Sequence, residues 1–132
     1  MPDAETFSRL MAGLRTGEDA AAREVFERFA GRLIAMARGR FNRLLARKVD
    51  PEDVVQSAFK SFFLRYRAGQ FELGSWKEVW GLLTVITLRK CVNRLEYFRA
   101  GGEIQAKWLE TLSKRTAAFA AKVPRAAAPE KT

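Results

Sequence analysis

The stretch "VDPEDVVQSAFKSFF", residues 49–63, has the pattern of a helix with a marked start. Asp50 can accept hydrogen bonds from the free N–H groups of a first turn, and the proline that follows it is well tolerated just inside a helix. Glu52 and Asp53 then place negative charge against the positive end of the helix dipole. Because valines and phenylalanines follow, the stretch predicts a helix over about 51–67 with one buried face.

Other parts of the chain show the same organisation, with glycine and proline separating segments whose apolar residues recur at helical spacing. The predicted helices, besides 51–67, are 5–15, 20–46 with Asp19 as its cap, and a long helix from Ser75 to Gly101. No strand pattern and no internal repeat occurs. The predicted fold class is therefore all-α, a compact bundle of four to five helices.

The long helix changes character along its length. Its first half, "WKEVWGLLTVIT", is apolar on nearly every side and is expected to be buried by its neighbours. At 100° per residue the second half divides into two arcs. The polar arc contains Arg89, Lys90, Asn93, Arg94, Glu96 and Tyr97, and the apolar arc contains Leu88, Cys91, Val92 and Leu95. Cys91 is thus expected to be a small core residue.

The pattern beyond residue 100 is weaker. The bundle itself is expected to span 5–100, with an additional C-terminal helix within 101–123, patterned over about 103–121. The segment "VPRAAAPEKT" is polar and rich in alanine and proline, so residues 124–132 are expected to form a disordered tail.

Composition limits the classes of function. The 132 residues contain 24 Lys and Arg against 15 Asp and Glu, a formal charge of +9, which favours nucleic acid ahead of a membrane surface as partner. A single cysteine excludes an internal disulfide framework and fits a reducing compartment. No apolar run reaches the about 20 residues of a membrane span, and no signal peptide is recognised. The expectation is a soluble, cytoplasmic protein with no membrane partner.

Catalysis is not expected. The chain has no histidine, which removes the commonest general base and the commonest metal ligand. With one thiol, a zinc site of the Cys/His type cannot be assembled. Phosphate-binding, dinucleotide-binding and nucleophile-elbow motifs are absent from the sequence. We therefore expect no enzyme activity, no catalytic residues, no metal and no cofactor.

Residues 19 to 99 resemble region 2 of extracytoplasmic-function sigma factors of bacterial RNA polymerase. The segment "GEDAAAREVFERFAGRLIAMAR" resembles the first long helix of that domain, "DPEDVVQSAFKSFF" its polymerase-binding helix, and "WGLLTVITLRKCVNRLEYFR" its promoter-reading helix. The motif "ITLRKC" is especially similar to planctomycete-type members. The resemblance implies a sigma-type transcription initiation factor whose partners are core RNA polymerase and promoter DNA.

For the helix over 51–67, the resemblance implies contact with the clamp helices of the polymerase β′ subunit. Asp53 and Gln56 lie on one helix face and match the family positions for that contact. Glu52 is placed beside them, and Ser57 stands where the family often has glutamate. The alternative is that the acids only compensate the helix dipole, with Gln56 solvated.

For the long helix, the resemblance implies binding of the non-template strand of the −10 element. Arg89, Lys90 and Arg94 can neutralise phosphates, Asn93 can pair with a base edge, and Tyr97 offers a stacking face. A solvated helix face is the alternative. The preceding loop, "GQFELGS", is the family's site for a flipped base. Gln70 and Ser75 could read its edge, and Phe71 either stacks on it or plugs the end of the bundle.

The resemblance does not extend past residue 100. Family members continue into region 4, which reads the −35 element, and the final segment does not resemble it. Three hypotheses follow: a sigma-type factor or its region 2 alone, a basic helical nucleic-acid-binding module, and a helical regulator that copies region 2. The resemblance also leaves room for an anti-sigma factor as a partner. Arginines on the polar face of the second helix could touch DNA, polymerase or only water.

Overall fold

The computed structural model describes residues 2–40 and 49–100, together with Glu110 and Lys114. Every regular element in this part of the chain is a helix. The helices are α1 (Pro2–Thr16), α2 (Asp19–Arg40), α3 (Pro51–Arg67) and α4 (Trp76–Ala100). The predicted all-α fold is confirmed.

Helix boundaries agree closely with the sequence pattern, with two differences. α3 has the predicted bounds, while α1 begins three residues before the predicted position 5. α2 begins at Asp19, so this residue lies inside the first turn and does not cap it as predicted. Its carboxylate still lies at the positive end of the helix dipole. The last predicted part of α2, residues 41–46, is outside the described residues.

Beyond residue 100 only Glu110 and Lys114 are described. Both are helical, and the Nζ of Lys114 lies 3.1 Å from Oε1 of Glu110 across one helical turn. The remainder of the predicted helix over 103–121 and the predicted tail at 124–132 lie outside the described residues.

The start of α3 has the capping arrangement that its sequence predicts. Asp50 is the N-cap, with extended backbone, and its side chain accepts a hydrogen bond of 2.9 Å from the backbone N–H of Glu52. One face of the helix is buried in the bundle, through Val54, Val55, Ala58, Phe59, Phe62 and Tyr66. The local start signal and the apolar pattern therefore agree on which side of α3 faces the core.

Two glycines end helices in the same way. Gly17 and Gly69 both have φ of 80°, the left-handed region that side chains with a Cβ rarely adopt. After α1, the Gly17 N–H donates to Leu14 O and the Glu18 N–H to Gly13 O, at 3.2 and 2.8 Å. The equivalent pair of bonds follows α3 at Gly69 and Gln70. These paired bonds define a Schellman motif, which turns the chain back on itself.

Helix α4 lies against α3 and α2, and α1 packs on α2 and α3. The part of α4 over residues 81–88 is buried on all sides, through Leu82, Leu83, Thr84, Val85, Ile86, Thr87 and Leu88. The first turn is not, since Lys77 is exposed, so the predicted burial of the first half is confirmed only in part. Its two threonines donate to backbone carbonyls one turn earlier, Thr84 to Trp80 O at 2.8 Å and Thr87 to Leu83 O at 2.7 Å. Both hydroxyl groups are therefore satisfied inside the core.

We expect two glycine substitutions to change stability in opposite directions. Gly17→Ala should lower the free energy of unfolding by about 1–2 kcal/mol, because alanine is strained in the left-handed region. Gly31 lies on an exposed part of α2 with open space where a Cβ would stand. Gly31→Ala should therefore raise the free energy of unfolding by about 1 kcal/mol, because alanine has the higher helix propensity. Urea denaturation measures the free energy of unfolding of both variants. A lower stability of Gly31→Ala, or a higher stability of Gly17→Ala, would contradict the backbone conformations described for these two glycines.

Candidate functional site

The start of α3 exposes the polar residues that the sequence singled out. Glu52, Asp53 and Gln56 are exposed and Ser57 is half-buried. Because Val54, Val55 and Ala58 occupy the opposite side and are buried, these polar side chains project from a helix that is anchored along its length. The result is an acidic and amide-bearing face on a protein that is otherwise strongly basic. Such a face can accept hydrogen bonds from basic side chains of a partner.

The end of α4 carries the second predicted surface. Arg89, Asn93, Arg94, Glu96 and Tyr97 are exposed and Lys90 is half-buried. On the other side of the helix Leu88, Cys91 and Leu95 are buried. The predicted division of this helix into a polar and an apolar arc is therefore confirmed, and Cys91 is a core residue. The exposed fraction of Tyr97 is 75%.

Two polar side chains of the loop between α3 and α4, Gln70 and Ser75, form hydrogen bonds within the protein. The Gln70 Oε1 accepts a hydrogen bond of 2.9 Å from Nε of Arg65, on the last turn of α3. Ser75 is the N-cap of α4, since its Oγ accepts from the Glu78 N–H at 3.2 Å. Glu78 in turn accepts from the Gly74 N–H at 3.0 Å. The pair of bonds is similar to a capping box, except that Glu78 accepts from the residue before the N-cap and not from the N-cap itself. Reading of a base edge by Gln70 or Ser75 stays a prediction, and it would compete with these bonds.

The Phe71 side chain is buried. The sequence left open whether its ring stacks on a base or plugs the bundle, and the structure has it as a plug with 1% exposure. Its ring lies nearly parallel to that of Phe62, with centroids 6.2 Å apart, and the guanidinium carbon of Arg65 is 5.0 Å from its centroid. Burial of a large apolar ring stabilises the folded protein, whereas a ring exposed in a loop would contribute no such free energy. In this conformation Phe71 has no open face for a base.

A cluster that sequence reasoning did not identify joins α2 to the start of α4. The guanidinium carbon of Arg28 lies 4.1 Å from the ring centroid of Trp76, and that of Arg32 lies 4.5 Å from that of Trp80. Phe29 contacts both indoles, at 5.7 and 5.8 Å between centroids. The signal was present, because the two arginines and the two tryptophans are each four residues apart. Nothing in the sequence showed that these helices are neighbours.

Other kinds of site are not found in the described ranges 2–40 and 49–100. No group of His, Cys, Asp or Glu side chains there could hold a metal ion. The helices of this part of the chain are too short or too polar to span a bilayer. The described surface includes an acidic patch at the start of α3 and basic patches on α2 and α4, and such charged patches favour binding to partners of opposite charge.

Comparison with protein-family models, with curated proteins and with solved structures finds no match to this chain.

Proposed function

We propose that this chain is a sigma-type transcription initiation factor, in the form of region 2. Asp53 and Gln56, with Glu52 and Ser57 beside them, contact the clamp helices of the polymerase β′ subunit. The polar arc of α4 binds the non-template strand of the −10 element and favours its opening. The proposed protein acts by binding and not by catalysis.

The support comes from the exposure of two chemically different surfaces on adjacent helices. The start of α3 presents acceptors, and the end of α4 presents cations, an amide and an exposed aromatic ring. The arc of α4 carries the proposal, because its residue types match the separate tasks of holding single-stranded DNA: phosphate neutralisation, base-edge pairing and stacking. Both helices are anchored on one core, so binding at either surface orders few further residues.

The loop favours a second candidate function, a basic helical module that binds nucleic acid without capturing a base. Gln70 and Ser75 have partners within the protein, and Phe71 is buried. A flipped base would need this loop to rearrange at the cost of those contacts. The second candidate therefore uses the arc of α4 alone and needs no polymerase.

Fluorescence anisotropy over a salt series distinguishes these candidates. We expect the chain to bind a −10 single strand more tightly than a scrambled strand or the duplex. Lys90→Ala and Arg94→Ala should weaken all three alike and lower the salt slope by about 0.7 for each lost contact to a single strand. Asn93→Ala should leave the slope unchanged and relax preference at one base, at a cost of about 1–3 kcal/mol there.

Lys60→Ala is the matched control, because it removes the same charge from an exposed position on α3, outside the arc of α4. Equal affinity for the three DNAs, with Asn93→Ala behaving like Lys90→Ala, would support the basic module. Binding to core polymerase without any binding to DNA would instead support a regulator that copies region 2.

A further inference from the structure

We propose that Arg28 and Arg32 form a phosphate-binding pair for the backbone of single-stranded nucleic acid. The pair lies on α2, apart from the polar arc of α4, and the inference stands whether or not the chain binds polymerase. It rests on the stacking of both guanidinium groups, on the surface around them and on their position relative to α4.

Stacking holds both side chains in place before a ligand arrives. Each guanidinium lies over an indole, Arg28 on Trp76 and Arg32 on Trp80, and Arg32 is also 5.3 Å from the centroid of Phe29. Trp76 is itself fixed by Phe7, whose ring meets it edge-on with centroids 5.0 Å apart. A stacked guanidinium keeps its positive charge at an exposed position, where it can neutralise a phosphate. Less side-chain entropy is then lost on binding.

The surface next to the pair suits a phosphate backbone. Both arginines are exposed, and the small exposed residues on the same face of α2 are Gly31, Ala35 and Gly39. No atom lies within 4 Å of the place where a Cβ of Gly31 would stand, so a strand can approach the helix closely. The segment 28–39 contains three arginines and no acid. This face has no large exposed apolar side chain, which argues against an apolar protein partner.

The pair also lies on a line with the basic end of α4. Because Arg28 contacts Trp76 and Arg32 contacts Trp80, the two helices run in the same direction at this point. Arg94 follows Trp76 on α4 by about five turns, or about 27 Å, and so lies on the same side of that helix. At the rise of a fully stacked strand, about 3.4 Å per nucleotide, about eight nucleotides cover this distance.

The test uses the full chain and a fluorescent oligothymidylate of 20 nucleotides, which contains no −10 element. Arg28→Gln and Arg32→Gln should each lower the salt slope of binding by about 0.7, and the double variant by about 1.4. Arg23→Gln is the matched control, since Arg23 is exposed on the same helix, about 140° away from Arg28. It removes the same charge and should leave the slope nearly unchanged. Circular dichroism melting confirms that all variants are folded.

Replacement by lysine tests the stacking itself. Arg28→Lys with Arg32→Lys retains both charges but not the planar fork, so the slope should be unchanged while the affinity falls several-fold. The proposal would be overturned by a parent chain that does not bind the oligonucleotide, by glutamine variants that behave like Arg23→Gln, or by a lysine variant as tight as the parent. Glutamine variants that bind DNA normally but no longer bind core polymerase would also overturn the proposal, because the two arginines would then contact a protein and not DNA.

Discussion

Replacing Phe71 by alanine should lower the free energy of unfolding by about 3–5 kcal/mol, a loss typical of a large aromatic side chain removed from a core. The ring is 1% exposed and stacks on Phe62 beneath the guanidinium of Arg65. Its removal would leave a cavity between the end of α3 and the loop that leads into α4. Urea denaturation of the parent and the variant measures the effect.

Leu64→Ala is the control for Phe71→Ala, because Leu64 is a large apolar residue on α3 that is 59% exposed. We expect its free energy of unfolding to stay within about 0.5 kcal/mol of the parent. A loss at Phe71 as small as that at Leu64 would mean that the ring is not part of the core in solution. The ring would then be free to stack on a base, which is the role that the resemblance suggests for Phe71.

A second variant at this position separates stability from DNA binding. Phe71→Leu keeps an apolar side chain in the core and should remain folded. If a base stacks on the aromatic ring, this change should cost about 1–3 kcal/mol of affinity for a −10 single strand. We expect no such loss, because the described conformation leaves the ring no open face.

Changing Asp53 and Gln56 together to alanine should weaken binding to core RNA polymerase by about 30-fold or more. Hydrogen bonds that involve a charged group contribute about 1.5–3 kcal/mol and neutral ones about 0.5–1.5 kcal/mol, so losing one of each amounts to at least about 2 kcal/mol. Both side chains are exposed on the first two turns of α3. Helicity and thermal stability should therefore change little, and affinity is measured by pull-down or by titration with labelled chain.

Lys60→Ala provides the comparison for this double variant. Lys60 is exposed on α3 one turn beyond Gln56, outside the acidic patch. Its loss should leave polymerase binding within a few-fold of the parent. If the double variant binds core polymerase as tightly as the parent does, the polymerase contact assigned to α3 is wrong. The acids at the helix start then serve only to cap it and to compensate its dipole.

Much of the helical architecture could be predicted from the sequence, because the signals that define helices act within one or two turns. Asp50, with the proline and acids after it, marked the start of α3, and Gly69 marked its end. The division of α4 into two arcs followed from residue spacing alone, and burial of Leu88, Cys91 and Leu95 agrees with it. Asp19 was misplaced by one residue, since neighbouring polar residues can serve almost equally well at a helix start.

What each loop and surface side chain contacts depended on the tertiary structure. Gln70 binds Arg65 and Phe71 lies on Phe62 because the Schellman turn at Gly69 folds the loop back over the end of α3. From the sequence, an aromatic residue between glycines fits a core plug and a base-stacking residue equally well. In the described structure the ring is buried against α3, and base stacking by Phe71 stays a prediction.

The stacking of Arg28 on Trp76 likewise depended on which helices are neighbours. The sequence by itself determined that the described part of this protein is helical, which faces of α3 and α4 are apolar, and that the chain is strongly basic. The tertiary structure alone decided which arginines are held by aromatic rings and which loop residues have contacts within the protein. Helix signals are local, whereas these contacts join residues far apart in the chain that only the packing of the four helices brings together.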